Sequence, residues 1–472
     1  MSPLWTRSEL AEALGGAPSR PLAAEVEGVS IDSRTLAPGD LFVAIKGETH
    51  DGHDHVARAF EGGASAAVIS EARAPGLAAF GPVFTVDDTL KGLERLAVAS
   101  RRRAQGKIVA VTGSVGKTSV KEMLRVMLSA CGETHASVAS YNNHWGVPLT
   151  LARMPATAAY AVIEMGMNHR GEIAALTRMA RPHAALVTTI APVHIEYLGS
   201  LEAIADAKAE IFEGLEPNGA AIINRDAPQA DRLEKAATAQ GANVLTFGVS
   251  EGSDARLLEV VDDGAGSTVR ARIFDRELTF ALGAPGLHMA QNAVGALLVS
   301  EVLGADVASC AQALAHFVPQ KGRGARIVLQ SSGGPVTVID ESYNANPTSM
   351  RSALALLGAT KPGAEGRRIA VIGDMLELGE QGGAMHAALA PDLVSNRVDL
   401  LFGAGPLTRS LYEAAPSDMR GAWTERSAEL TPKLIGAVKG GDVLMVKGSN
   451  GSRMGPLVAA LREHFGLAGS ES

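Results

Sequence analysis

The residues with the most specific chemistry stand together at Gly113-Ser114-Val115-Gly116-Lys117-Thr118, with Ser119 directly after them. Glycines let backbone N–H groups turn toward one point, a lysine can reach the outer phosphates of a nucleoside triphosphate, and a threonine hydroxyl can ligate Mg²⁺. The segment therefore predicts a nucleoside triphosphate bound with magnesium. It is shorter than the common phosphate-loop pattern, because Val111 stands where that pattern has its first glycine. The plain alternative is an ordinary strand-to-helix turn with a solvated lysine.

The elements around the loop favour the phosphate cradle. The apolar run Lys107–Thr112 predicts a strand leading into it, and Val120, Met123, Leu124, Met127 and Leu128 follow at helical spacing. Such a step aims a helix N-terminus at the bound anion. Across 106–319, strand-like runs at 159–163, 185–190, 220–223 and 244–247 alternate with helical patterns, which predicts a mostly parallel sheet built on the loop. Residues 1–105 read as a smaller α/β module with short strands at 40–45 and 66–69. Residues 320–472 repeat the alternation, with strands at 336–339, 368–372, 400–402 and 442–446. An α/β chain of 472 residues is too long for one core, and three domains are expected.

Polar residues recur where these strands run out. Glu164 and His194 fall on the same sheet edge as the loop, where a carboxylate and an imidazole could hold Mg²⁺; a strand-end cap or a surface residue is the plain alternative. Lys208 lies on the apolar stripe of a helical segment with Leu201, Ile204, Ala205, Ile211 and Phe212. Its plain reading is a snorkelling stem with the ammonium in water. The pieces Ser140–Gly146 and Ser342–Asn346 cluster amides suited to a ligand with carboxylates and amides, although such residues also form ordinary turns, and the strand-end clusters at 340–346, 373–374 and 447–453 are expected to line a second site.

Composition excludes some classes. A net charge of −8, from 43 basic and 51 acidic residues, gives no global field for nucleic acid, and the run Arg101–Arg103 is expected to be a solvated linker face. Cys131 and Cys310 are remote in sequence and fit neither a disulfide framework nor a zinc site, which suits a reducing cytoplasm. The first residues read as a capped amphipathic helix rather than a signal peptide, no apolar run has bilayer length, and a soluble protein without a membrane span is expected.

Taken in order, the motifs resemble those of the Mur ligases over nearly the whole chain. They are Asp32-Ser-Arg34, Pro38–Ala44, Thr112–Thr118, Ser140–Thr150, Glu164–Asn168, His194, Ala207–Phe212, Gly286–Asn292, Gly322-Arg323, Asp340–Pro347, Gly373–Gly379 and Lys447–Ser449. The shortened phosphate loop is itself the form this family uses. The resemblance implies an N-terminal domain for the UDP part of the substrate (1–105), a central parallel-sheet ATPase (106–319) and a C-terminal Rossmann-like ligase domain (320–472). Within the family it is nearest to the member that joins D-alanyl-D-alanine to UDP-N-acetylmuramoyl-tripeptide through an acyl phosphate.

It further implies two Mg²⁺ ions held by the residues matching Thr118, Glu164 and His194, with Lys208 carbamoylated as a carboxylate-like ligand. Lys117 would act on the phosphates. His288 and Asn292 would belong to the adenine side, and Arg323 and Asp340 would contact ATP. Ser33, Arg34, Asn142 and Asn143 would be substrate-side, with Tyr343, Asn344 and Asn346 near the dipeptide and Lys447 a further substrate-side residue. In place of the family's frequent Lys-Gly-Ser-Arg, Asn450 follows Ser449 and the next arginine is Arg453. A monomer without nucleic-acid partners is expected. The rival readings are another Mur ligase, a folylpolyglutamate synthase, or a regulatory phosphate-loop NTPase that moves a partner.

Overall fold

The computed structural model describes residues 3–138, 140–193 and 195–467, so His194 lies outside the described residues. The alternation of apolar runs and amphipathic segments resolves into three sheets, each built from one continuous stretch of chain. The first holds four parallel strands in the order Gly28–Ser30, Asp40–Val43, Ala66–Ser70 and Val83–Val86. Thr6 and Glu9 form a capping box on the helix Arg7–Leu14, as the N-terminal pattern predicts.

The second sheet has nine strands, with Lys107–Thr112 lying between Ala184–Val187 and Tyr160–Glu164, parallel to both. Val109 and Val111 pack on one face with Val120, Met123, Leu124, Met127 and Leu128. Ile108 and Ala110 pack on the other with Ile163 and Val187. A strand buried on both faces must be apolar throughout, which is why the run before the loop is unbroken. Ala255–Asp262, Ser267–Ile273 and Arg276–Leu282 extend one edge as antiparallel pairs. The sequence reading does not anticipate these strands, because each has one solvated face carrying charge.

The third sheet runs in the order Ala325–Ser331, Gly334–Glu341, Val443–Lys447, Arg368–Gly373, Leu400–Ala404 and Arg420–Thr424. It is parallel except for its first pair. No helix among the described residues is long and apolar enough to cross a membrane.

The helix Thr89–Arg103 ends on the second sheet's layer, and its last turn corrects the expectation of a solvated arginine run. The Arg101 side chain is 9% exposed, with Nε donating to Ala180 O at 2.7 Å and Nη2 to Glu216 Oε1 at 2.7 Å. Arg103 stacks on Trp5 and reaches Glu9, and Arg102 is the exposed member. The carbonyls closing the helix Glu172–Ala180 lack intrahelical partners, and Arg101 supplies donors to them. The cysteines, remote in sequence, meet: their Sγ atoms are 3.7 Å apart, both thiols are free, and burial pushes Cys310 up to about 12.

Candidate active site

The phosphate loop owes its shape to two glycines. Gly113 has φ +146°, and a Cβ there would lie 1.9 Å from Thr188 Oγ1; Gly116 has φ +88° and would put its Cβ 2.9 Å from Asn292 Nδ2. Thr188 Oγ1 donates to Val115 O, Ser114 N to Thr189 O at 2.8 Å, and Ser114 Oγ to Ala191 O at 3.0 Å. These bonds pin the loop to the end of the neighbouring strand. The helix Lys117–Ser129 then starts at Gly116, with Ser119 in its first turn. Lys117 Nζ donates to Gly113 O at 2.8 Å, and burial lowers its pKa against the opposing pull of Glu164.

Glu164 ends its strand fully buried. Its Oε1 accepts from Thr118 Oγ1 at 3.1 Å and from Asn142 Nδ2 at 2.8 Å, while Oε2 has no partner. A buried carboxylate oxygen left open beside a threonine hydroxyl is a donor set that fits a hard divalent cation such as Mg²⁺. Lys208, in the last turn of the helix Leu201–Ala209, is 1% exposed. That burial removes the snorkelling alternative. Desolvation, and then the like charge of Lys117, push its pKa well below the ordinary lysine value. A neutral amine in this position can attack CO₂ to form a carbamate, releasing one proton and leaving an anion beside Lys117.

These groups open onto a cavity of about 630 Å³ between the second and third sheets. Ser114 to Lys117, Ser119, Glu164 and Lys208 form one wall, with Asn142 and Asn143 beside them. His288 and Asn292 reach it from successive turns of the helix Leu287–Val302, one above the other on one face. Burial lowers the His288 pKa and favours the neutral ring. From the other side come Arg323, Tyr343, Asn344, Asn346 and Lys447. The Arg323 guanidinium lies 4.0 Å over the Tyr343 ring and donates to Ser140 Oγ at 3.0 Å. Lys447 Nζ donates to Glu341 Oε2 at 3.1 Å and to Asn344 O at 3.0 Å. Two of the asparagines also shape backbone: Asn346 caps the helix Pro347–Ala359, and Asn143 Oδ1 accepts from Gly146 N.

Asp340 departs from its expected place. It is fully buried, with Oδ2 accepting from Gly322 N at 3.0 Å and Oδ1 accepting from Ser342 Oγ at 2.6 Å. Both oxygens are spent fastening the turns on either side, and it is Glu341 that lines the cavity. Consecutive strand residues point to opposite faces, so one acid of the pair must turn inward. Ser33 and Arg34 do not line this cavity; Arg34 is 74% exposed in its side chain and grips Asp32, holding that carboxyl down at about 2. Arg453 is exposed, in the left-handed region, and away from the cavity. Thr188 and Asn224 line it without having been singled out, although both stand at strand ends, the signal that marks Glu164.

Residues 25–101 match the Mur ligase family catalytic domain, 111–300 the Mur ligase middle domain and 325–450 the Mur ligase glutamate ligase domain. The UDP-N-acetylmuramoyl-tripeptide--D-alanyl-D-alanine ligase of Escherichia coli K12 is 36% identical over 443 residues, covering 93% of this chain and 94% of the relative. A crystal structure of MurF from Acinetobacter baumannii superposes with a TM-score of 0.84 at 30% identity, covering 97% of this chain and 99% of that one. The MurF ligase of Thermotoga maritima, in complex with ADP, gives 0.75 at 27% identity over 93% and 97%.

Proposed function

Because the chain belongs to the Mur ligase family, we propose that it joins D-alanyl-D-alanine to UDP-N-acetylmuramoyl-tripeptide at the expense of ATP, giving a peptidoglycan precursor, ADP and phosphate. The observation that carries this reading is one cavity with a phosphate loop on one wall and the Tyr343–Asn346 amides on the other. ATP phosphates lie against Gly113–Ser119, with the base toward His288 and Asn292 and with Arg323 and Glu341 closing from the third sheet. Of the neighbouring acids, Glu341 takes the contact expected of Asp340.

The tripeptide's terminal carboxylate, on the Asn142 and Asn143 side, attacks the γ-phosphorus and ADP leaves. The dipeptide amine, held near Tyr343, Asn344, Asn346 and Lys447, then attacks the acyl carbon, giving up a proton as phosphate departs. Phosphorylation makes a poor leaving group into a good one. Lys117 offsets charge on the moving phosphoryl group, which is electrostatic rather than covalent catalysis. Thr118, Glu164, His194 and carbamoylated Lys208 would hold two Mg²⁺ ions, which supply further neutralisation of that charge when bound. Ser33 and Arg34 would serve the UDP end. Enclosure between the sheets limits hydrolysis of the acyl phosphate. ATP and a nucleotide-linked substrate support a cytoplasmic reaction, carried out by a monomer.

Phosphate release measured across a matrix of UDP-muramoyl tripeptides and D-dipeptides tests the reading. Release that needs both substrates is expected. Release with ATP alone would favour a regulatory NTPase, and release with a single amino acid in place of the dipeptide would favour another Mur ligase.

A further inference from the structure

A buried lysine one turn beyond the phosphate loop has no part in the chemistry above. Lys121 is fully buried on the helix Lys117–Ser129. Its Nζ donates to Ser137 O at 3.0 Å and pairs with Glu122, which Arg125 also holds, through Nε, at 2.7 Å. Ser137 in turn accepts, on Oγ, the backbone N–H of Glu164 at 3.2 Å, and its own N–H donates to Val162 O. Asn142, a few residues on, donates to Glu164 Oε1, and its carbonyl accepts from Gly166 N at 2.7 Å. Ser137 therefore stands between two things: the ammonium of Lys121 behind the loop, and the strand end that aims Glu164.

A buried lysine costs desolvation that an apolar residue of the same length would not. What this one adds is a charged donor on Ser137 O, joining the helix that bears Lys117 and Thr118 to the chain that bears Glu164 and Asn142. We propose that Lys121 is a positioning residue for magnesium: through Ser137 it fixes the Glu164 carboxylate at the distance from Thr118 that a shared cation needs. The proposal rests on the magnesium reading of Glu164, and the test separates the two.

Binding of a non-hydrolysable ATP analogue is measured by calorimetry on the full chain, with Mg²⁺ and with EDTA side by side. Removing an outer partner of a metal ligand typically weakens metal affinity by roughly 10- to 100-fold. For Lys121→Met a loss of that size is expected in Mg²⁺ only, with binding in EDTA unchanged and Lys121→Arg recovering most of it. Equal loss in both buffers, or no loss in either, overturns the proposal. If the unaltered chain binds the analogue equally with Mg²⁺ and EDTA, the magnesium reading fails first and the positioning role with it. Should Lys121→Met lack the native circular dichroism spectrum, Ser137→Ala carries the same expectation and the same refuting outcomes, since it removes only the hydroxyl that holds Glu164 N–H.

Discussion

A carboxylate buried with one oxygen unpartnered is costly, and Glu164 bears that cost where the phosphates are to be held. Glu164→Gln keeps an acceptor for Thr118 and Asn142 but removes the charge. Ligation should fall by at least about 100-fold, the equivalent of several kcal/mol of charge stabilisation, while the melting temperature holds or rises. Phosphate release and thermal unfolding of the same preparation check both parts. Lys208→Ala should lose ligation and regain part of it with added acetate or formate; full activity in the plain variant contradicts the carbamate. The lysine also leaves a thermodynamic trace. In CO₂-free buffer the folded chain holds Lys208 neutral at pH values where the unfolded chain holds it charged. The unfolded state then binds more protons, so stability rises with pH up to the ordinary lysine value of about 10.4. Lys208→Met should flatten that slope in urea unfolding followed from neutral to alkaline pH.

The phosphate loop is the element on which everything else is hung. Gly113→Ala brings a methyl group against Thr188 Oγ1 in a backbone region that side chains rarely adopt, and should cost about 1–3 kcal/mol of stability together with nucleotide binding. Urea unfolding and calorimetry read the two losses. This element was legible in the sequence because its signals are local: an unbroken apolar strand, glycines, Lys117-Thr118 and five apolar residues at helical spacing. Glu164, the asparagines, His288 and Asn292 were legible as motifs, and the cavity gathers them. That Glu341 rather than Asp340 lines the cavity was not, because the pleat turns neighbouring residues to opposite faces and both acids read alike in sequence. The strands between Ala255 and Leu282 were missed for a related reason. With one face in water, arginine and glutamate interrupt the apolar rhythm that marks a buried strand.

At the scale of the whole molecule, an apolar cluster that takes Leu149 and Ala152 in with Trp5, Leu93 and Leu96 is supplemented by a few polar contacts that no local pattern announces. Arg101 binds the end of one helix and Glu216, both 79 or more residues away in sequence. A run of three arginines looks solvated until the carbonyls awaiting one of them are known. Arg101→Ala should cost about 1.5–3 kcal/mol, since it strips charge-assisted hydrogen bonds from the buried Ala180 carbonyl and the partly buried Glu216, and urea unfolding measures it. The turn at Gly322-Arg323, in the chain between the second and third sheets, is held in the same manner, by Arg323 between Ser140 and Tyr343 and by Asp340 on Gly322. Cys131 and Cys310 offer a different use of the architecture. One thiol is partly open and the other is sealed beneath the helix that begins at the phosphate loop, its proton held tightly. An aromatic disulfide reagent should therefore titrate the chain in two phases, a prompt one and one gated by breathing of the central core. The slow rate is a built-in clock for how firmly that core is shut, and nucleotide should make it run slower.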